Sequence, residues 1–115
     1  RDFNYVTDTV QAMILLIKKT DAIGKVINIG TGKDWTIEET ASLIMKIYGK
    51  KVNIISEDKR LRPKKSEVNK LVADNRLLKE ITDWKPKVSF NQGLKNTFNW
   101  IKNNKHLFNS SSYNI

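Results

Sequence analysis

"KVINIGTGKDWTIEE", residues 25–39, contains the change from strand-like to helix-like sequence on which the predicted fold rests. The β-branched run at 25–30 predicts a short buried strand that stops at a glycine. Thr36 and Glu39 have the spacing of a capping box, so a helix is expected to begin there. The two glycines in between predict a tight strand-to-helix turn. A nucleotide-phosphate loop is the less favoured alternative, because neither G-x-G-x-x-G nor G-x-x-x-x-G-K-S/T fits.

The residues before this unit predict an extended segment followed by a helix. Residues 1–6 alternate weakly and indicate an extended segment, and Thr7 or Asp8 can cap the helix that follows. This helix is expected to end near residues 18–19, because the two lysines there suit the carboxyl end of the helix dipole. Its apolar positions keep helical spacing. They are Val10, Met13, Ile14 and Ile17.

The residues after this unit predict a second strand, a loop and two more helices. Residues 49–56 are the second predicted strand, and no period holds from 57 to 72, which indicates a loop. Asp74 is the predicted N-cap of a short helix. "SFNQ" at 89–92 is a second capping box and begins the last helix. The apolar stripe of that helix consists of Phe90, Leu94, Phe98 and Ile101.

These elements predict an α/β fold, or an α+β fold if the chain stands alone, with a thin sheet and about four helices. A sheet of two strands is marginally stable, so we expect the chain to lean on a larger surface. Residues 1–103 are interpreted as one lobe and 104–115 as a flexible tail. No apolar run approaches the roughly 20 residues that span a bilayer. The absence of cysteine fits a cytoplasmic protein.

Charge is concentrated in the second half of the chain. The net charge is +9, and residues 59–70 hold six cations and one acidic residue, Glu67. Three interpretations of this loop stay open: a solvated surface loop, a clamp for a small anion, or a nucleic-acid patch. Arg62 favours the clamp, because arginine bonds phosphate oxygens in a planar, bidentate geometry and Pro63 stiffens the backbone behind it. The nucleic-acid interpretation lacks a known reading motif.

No catalytic or metal-binding residue is predicted from the sequence. The acidic pair Glu38 and Glu39 is adjacent on a helix, so the two side chains do not face each other. The single histidine, His106, excludes a histidine-based metal cluster and lies in the predicted tail.

Five stretches in this order resemble one known family. They are "RDFNYVTD", "VINIGTGKDWTIEETASLI", "RPKKSEV", "ADNRLLKEI" and "DWKPKVSFNQGLKNTFNWI". Together they resemble the carboxyl-terminal third of the NAD-dependent sugar-nucleotide epimerases and dehydratases, the extended short-chain dehydrogenase/reductase group. The resemblance covers residues 1 to about 103. The spacing in "RPKKSEVNKLVADN" most resembles the 4,6-dehydratase branch, whose members oxidise C4 with NAD, eliminate water across C5–C6 and return the hydride to C6.

The resemblance implies a site for a nucleotide-diphosphate-sugar. Arg1 and Arg62 match the two arginines that contact the diphosphate in this family. Glu67 and Val68 stand in the same loop, which in relatives lies near the ribose and base. We therefore expect these four residues to bind substrate.

The resemblance also implies roles for residues that shape the lobe. Asp8 matches a helix cap that shapes the pocket wall. Asp74 is expected to cap a helix and Trp84 to pack against the lobe. The glycine that usually precedes this tryptophan is Asp83 here, so the local turn is expected to differ.

The family's G-x-x-G-x-x-G loop and Y-x-x-x-K pair are absent from the sequence. In the family they belong to an amino-terminal Rossmann domain, so the resemblance implies a substrate-binding lobe that is inert alone. The intact enzyme would be a 4,6-dehydratase or 4-epimerase that uses NAD and acts in bacterial surface-sugar synthesis. It would be a cytoplasmic homodimer, with neither nucleic acid nor membrane as a partner. A small basic nucleic-acid-binding module is the alternative function.

Overall fold

The computed structural model describes residues 1–55 and 68–108. Within these ranges the chain forms the four helices that the sequence predicts, and they are joined by irregular segments. The helices are α1 (Val6–Ile17), α2 (Ile37–Tyr48), α3 (Arg76–Thr82) and α4 (Phe90–Asn103). Two short 3-10 helices lie at Thr20–Ala22 and Lys105–Leu107. No helix in the described ranges is long and apolar enough to cross a membrane.

The capping box of α2 forms as predicted. Thr36 N donates to Glu39 Oε2 over 2.8 Å, and Glu39 N donates to Thr36 Oγ1 over 3.0 Å. The second predicted box forms only in part. The Ser89 hydroxyl accepts from Gln92 N at 3.3 Å, but the Gln92 side chain donates to Asn96 instead of returning to the cap. A partner one helical turn ahead therefore competes for the glutamine.

The start of α1 differs from the prediction. Tyr5 is the N-cap, and its side chain makes no capping hydrogen bond. Asp8 lies inside the first turn and is only 2% exposed. Its Oδ2 accepts backbone N–H bonds from Lys87 at 3.0 Å and Val88 at 2.9 Å. The role of a cap is wrong for Asp8, because a distant segment supplies the donors that a local rule assigns to its own helix.

The start of α3 is also displaced by one residue. Asn75, not Asp74, is the N-cap. Asp74 Oδ1 still accepts from Arg76 N at 3.2 Å, while the Arg76 guanidinium bonds both carboxylate oxygens. Asn75 is buried and donates to Gly30 O over 2.7 Å. The asparagine therefore joins α3 to the turn at residues 30–32, the glycine turn.

The core of the described part lies between α1 and α3. Its buried hydrophobic residues are Ala12, Leu78 and Trp84. The packing predicted for Trp84 is confirmed, since it is 2% exposed and its indole N–H donates to Asp8 O over 3.1 Å. Four partly buried residues pack around this core: Leu15, Leu16, Ile27 and Ile29. Trp100, in α4, is more than half exposed.

Asp83 occupies the turn for which the family resemblance implies glycine. Its φ of 55° and ψ of 18° are left-handed, a conformation that asparagine and aspartate tolerate better than most residues. It ends α3, with its N–H donating to Lys79 O over 2.9 Å. The backbone here thus takes the conformation that favours glycine, although the residue is aspartate.

Aromatic rings join the amino-terminal segment and α2 to α4. Phe90 stacks on Trp35 and on Phe3, with ring centroids 4.5 and 5.4 Å apart. Near the far end of α4, Phe98 meets Tyr48 of α2 at 5.9 Å. These offset contacts form a second packed region beside the α1–α3 core.

The two predicted strands are not present as strands in the described ranges. Residues 25–30 and the described part of the second segment, 49–55, have no helix or strand. Both segments expose β-branched residues, and Val26 is 90% exposed. A strand needs a ladder partner for its backbone groups, and these segments have none within the described chain. The helical half of the α/β prediction is therefore confirmed, while its thin sheet is not.

The apolar stripe predicted for α1 faces outward. Ile17 is 85% exposed, and the other members are about half exposed or more. The predicted stripe consists of Val10, Met13, Ile14 and Ile17, and Val6 at the start of the helix is exposed as well. The face of α1 that packs on α3 carries Asp8 and Ala12 instead. Helical periodicity thus identifies an apolar face but not which neighbour covers it.

We predict that Asp8→Ala destabilises the full-length protein by about 2–4 kcal/mol, because two N–H groups lose their acceptor in a buried setting. Urea unfolding measures this change. The exposed Asp21 provides the matched control, and Asp21→Ala should stay within about 0.5 kcal/mol of the parent. Equal stability of the two variants would contradict the structural role of Asp8.

Candidate functional site

Two of the four predicted site residues meet in the structure. Arg1 Nη1 donates to Val68 O over 2.6 Å, although the residues are 67 positions apart. The other two, Arg62 and Glu67, lie outside the described residues. The Arg1 side chain thus lies against the end of the basic loop.

The backbone of Arg1 is held by the segment before α2. Arg1 N donates to Trp35 O over 2.7 Å, and Trp35 N donates back to Arg1 O over 3.0 Å. The next residue bonds a different segment, since Asp2 N donates to Leu71 O over 3.0 Å. Residues 1–2 therefore lie between two segments. One runs from the glycine turn to Trp35, and the other begins at Leu71, after the basic loop.

The Asp2 carboxylate joins these two segments through four hydrogen bonds. Its Oδ1 accepts from Thr31 N at 3.0 Å and from the Thr31 hydroxyl at 2.5 Å. Its Oδ2 accepts from Gly32 N at 2.9 Å and Ala73 N at 3.2 Å. Burial alone would raise the pKa of Asp2, but the bonds from Thr31, Gly32 and Ala73 outweigh it and lower that pKa. The carboxylate is therefore ionised at neutral pH.

The glycine turn serves this carboxylate. A Cβ added to Gly30 would lie 2.5 Å from Ala73 Cβ and 2.7 Å from Asp2 Oδ2, so the close approach requires glycine. Gly32 has a φ of +75°, a left-handed conformation that glycine adopts without strain. The amides of this turn donate to Asp2. These contacts agree with a tight turn, rather than with a phosphate loop.

A cleft of about 440 Å³ opens beside Arg1. Its wall includes Asn28 and the segment from Leu71 to Asp74. The Arg76 guanidinium, bonded to the Asp74 carboxylate, lowers the pKa of Asp74 to about 2. The Asp74 charge is therefore paired at the rim, and among the described lining residues Arg1 contributes a cation to the cleft wall.

The cleft has the chemistry of a binding site. A guanidinium offers planar donors to the oxygens of a carboxylate or phosphate. Lys70, at the end of the basic loop, pairs with Asp34 at 3.1 Å. Across the residues described, no group of three or more His, Asp or Glu side chains could hold a metal ion.

The sequence analysis missed three residues that build this site. Asp2, Gly30 and Asn75 hold the turn, the first residues and α3 together. The sequence signal for these residues was weak, because each adjoins a feature with another assigned role. Asp2 follows Arg1, Gly30 ends the first predicted strand, and Asn75 follows the predicted cap Asp74. Only the meeting of distant segments gives them their role.

Comparison with known proteins identifies the family. Residues 1–97 match the family described as GDP-mannose 4,6 dehydratase. The chain belongs to this family. The predicted resemblance to sugar-nucleotide epimerases and dehydratases is thereby confirmed.

Individual relatives agree with this assignment. The chain is 32% identical to UDP-glucuronate 4-epimerase of Thermodesulfobacterium geofontis, over 96% of the chain and 32% of that protein. UDP-glucose 4-epimerase of Thermotoga maritima, solved with UDP-glucose, has a TM-score of 0.77 and 34% identity over 94% of the chain and 32% of that structure. dTDP-glucose 4,6-dehydratase of Bacillus anthracis, solved with NAD, has a TM-score of 0.74 and 27% identity, over 94% and 33%. The chain thus spans about a third of the length of the relatives it matches.

We predict a specific acid sensitivity from Asp2. Its pKa lies below the ordinary 3.8, so its stabilisation is complete above about pH 4 and is lost as the pH falls through the lowered value. Asp2→Asn should lower stability at pH 7 and flatten the loss below about pH 4. Urea unfolding of the full-length protein across this range measures both effects. Asp21→Asn is the control, and an acid profile of Asp2→Asn parallel to that of the parent would contradict the prediction.

Proposed function

We propose that the chain is the nucleotide-diphosphate-sugar-binding part of an NAD-dependent sugar-nucleotide 4,6-dehydratase or 4-epimerase. The family match supports this proposal, as do relatives whose names include both reactions. The spacing of the basic loop and the family description favour the 4,6-dehydratase. By itself the chain binds and does not catalyse.

The observation that carries this proposal is the hydrogen bond from Arg1 Nη1 to Val68 O. It puts the first motif against the end of the "RPKKSEV" loop, at the edge of the cleft. Arg1 and Arg62 bind the diphosphate, and Glu67 and Val68 lie toward the ribose and base. Two guanidinium groups neutralise the charge of a diphosphate and leave the sugar free to face the rest of the enzyme.

The NAD of the proposed enzyme binds elsewhere in the polypeptide. The closely spaced glycines of this chain do not fit a dinucleotide, because the Thr31 and Gly32 amides already donate to Asp2. When bound, NAD supplies the hydride acceptor and donor. The residues of this chain contribute the binding and orientation of the sugar nucleotide.

The alternative, a small basic nucleic-acid-binding module, receives no support from the family match. It would require phosphate contacts spread over a surface, with binding that falls steeply as salt rises. A cytoplasmic location and a homodimeric enzyme stay predictions of the proposed function.

We predict that Arg1→Ala and Arg62→Ala each weaken the binding of UDP, GDP, CDP or dTDP, whichever binds the full-length protein best, by about ten-fold or more. A charge-assisted hydrogen bond contributes about 1.5–3 kcal/mol, and 1.4 kcal/mol is a factor of ten. NAD affinity should change by less than about two-fold, because the proposed NAD site lies elsewhere in the polypeptide. Calorimetry measures both.

The matched control for this pair is Lys102→Ala, which removes an exposed cation in the last turn of α4. Its diphosphate affinity should equal that of the parent. Unchanged affinity in both arginine variants would overturn the proposed site. A loss in all three variants would indicate a general charge effect.

We further propose that the exposed stripe of α1 packs against the rest of the polypeptide. The supporting observations are the large apolar side chains on one face and the coverage of about a third of each relative. An exposed apolar face of this kind indicates an interface. The sheet predicted for residues 25–30 and 49–56 belongs to the same proposal, with its ladder partners in that larger part.

We predict that Ile14→Glu destabilises the full-length protein by at least about 2 kcal/mol, because it would bury an unpaired charge. Asn99→Glu, at an exposed position of α4, should change stability by less than about 0.5 kcal/mol. Thermal or urea unfolding measures both variants. If Ile14→Glu were as stable as Asn99→Glu, the face would be open to solvent and the proposed packing would be wrong.

A further inference from the structure

We propose that Asp2 is a positioning residue for anion binding, acting through Arg1. This inference rests on the proposed function and adds a residue to it. Asp2 has no position in the diphosphate clamp itself. Its carboxylate instead fixes the two segments between which Arg1 lies.

The first step is the path of the chain at residues 1–2. Backbone bonds from Arg1 to Trp35 and from Asp2 to Leu71 attach this dipeptide to both neighbouring segments. Each of these contacts reaches only one of the two segments, so neither alone fixes the segments relative to each other. The Asp2 carboxylate adds bonds to Thr31 and Gly32 on one side and to Ala73 on the other. It therefore fixes the distance between the segments.

The second step is how little room this arrangement leaves. The Asp2 Oδ2 position lies 2.7 Å from where a Gly30 Cβ would stand, and Ala73 Cβ lies 2.5 Å from it. The glycine turn, the Asp2 carboxylate and the segment at Ala73 are thus in close contact. Without the carboxylate, the exposed Gly32 amide and the partly buried Ala73 amide would exchange this shared acceptor for water, and the link between the two segments would be lost.

The third step connects this contact to Arg1. Val68, which accepts from Arg1 Nη1, lies five residues before Ala73 in the segment that Asp2 holds. A shift of that segment moves the carbonyl that orients the guanidinium. A displacement of about 1 Å in a positioning element can cost up to about a hundred-fold in function. Asp2 is thereby expected to set the orientation of Arg1 toward the cleft.

Asparagine cannot replace this carboxylate. Oδ1 faces the two donors of Thr31, and Oδ2 faces the amides of Gly32 and Ala73. An amide group in either orientation would point its NH₂ at N–H donors. Asp2→Asn therefore breaks one side of the contact while keeping the size of the side chain.

The test is a double-mutant cycle in the full-length protein, with Asp2→Asn, Arg1→Ala and the double variant. The probe is the nucleoside diphosphate among UDP, GDP, CDP and dTDP that the parent binds most tightly, and calorimetry gives the affinity. We expect Asp2→Asn to weaken binding about five- to ten-fold in the parent and less than about two-fold in the Arg1→Ala background. NAD affinity should stay unchanged in both backgrounds.

Leu78→Ala controls for lost stability, because it removes a buried side chain from the core between α1 and α3 and does not line the cleft beside Arg1. It should keep diphosphate affinity. If Asp2→Asn fails to fold, Thr31→Val and Thr31→Ser replace it, since only serine keeps the hydroxyl that donates to Asp2. Thr31→Val should weaken diphosphate binding, and Thr31→Ser should restore it.

Each outcome separates the two proposals. If Arg1→Ala binds diphosphate as the parent does, the proposed function is wrong. If Arg1→Ala loses affinity but Asp2→Asn keeps it, only the role of Asp2 is wrong. Additive losses, or an equal loss in Leu78→Ala, also contradict a role through Arg1.

Discussion

The Asp2 carboxylate is where three parts of the chain that are distant in sequence come together. It lies within hydrogen-bond distance of donors in the glycine turn and in the segment after the basic loop, and it follows Arg1 directly. Backbone groups that would otherwise need water are satisfied by one side chain. The cleft beside Arg1 and the path of the chain into α1 both follow from this contact. Asn75 extends the same network to α3 through its bond to Gly30.

Features that depend on near neighbours could be predicted from the sequence. The capping box of Thr36 and Glu39 is an example, because its partners are three residues apart. Asp8 was assigned to the same kind of local role and was wrong, because its donors lie 79 and 80 residues away. The assignment of Arg1 and Val68 to one site came from family resemblance and not from any periodicity. Local rules thus identify elements, whereas sites depend on which elements meet.

The two predicted strands show a related limit. The β-branched content of residues 25–30 is real, but strand formation requires a partner with free backbone groups. The same holds for the apolar stripe of α1, whose spacing is helical although its side chains are exposed. In the described part the buried hydrophobic residues are few: Ala12, Leu78 and Trp84. Both observations agree with the proposed packing of this apolar surface against a further part of the polypeptide.

The position of a carboxylate next to a proposed anion-binding arginine needs a physical explanation, since its charge would repel a diphosphate. The four donors around Asp2 provide it. Their N–H and O–H dipoles point at the carboxylate and compensate its charge, which is why its pKa is lowered despite burial. At the rim, Arg76 compensates Asp74 in the same way. The negative groups of the cleft wall, Asp2 and Asp74, are thus matched locally.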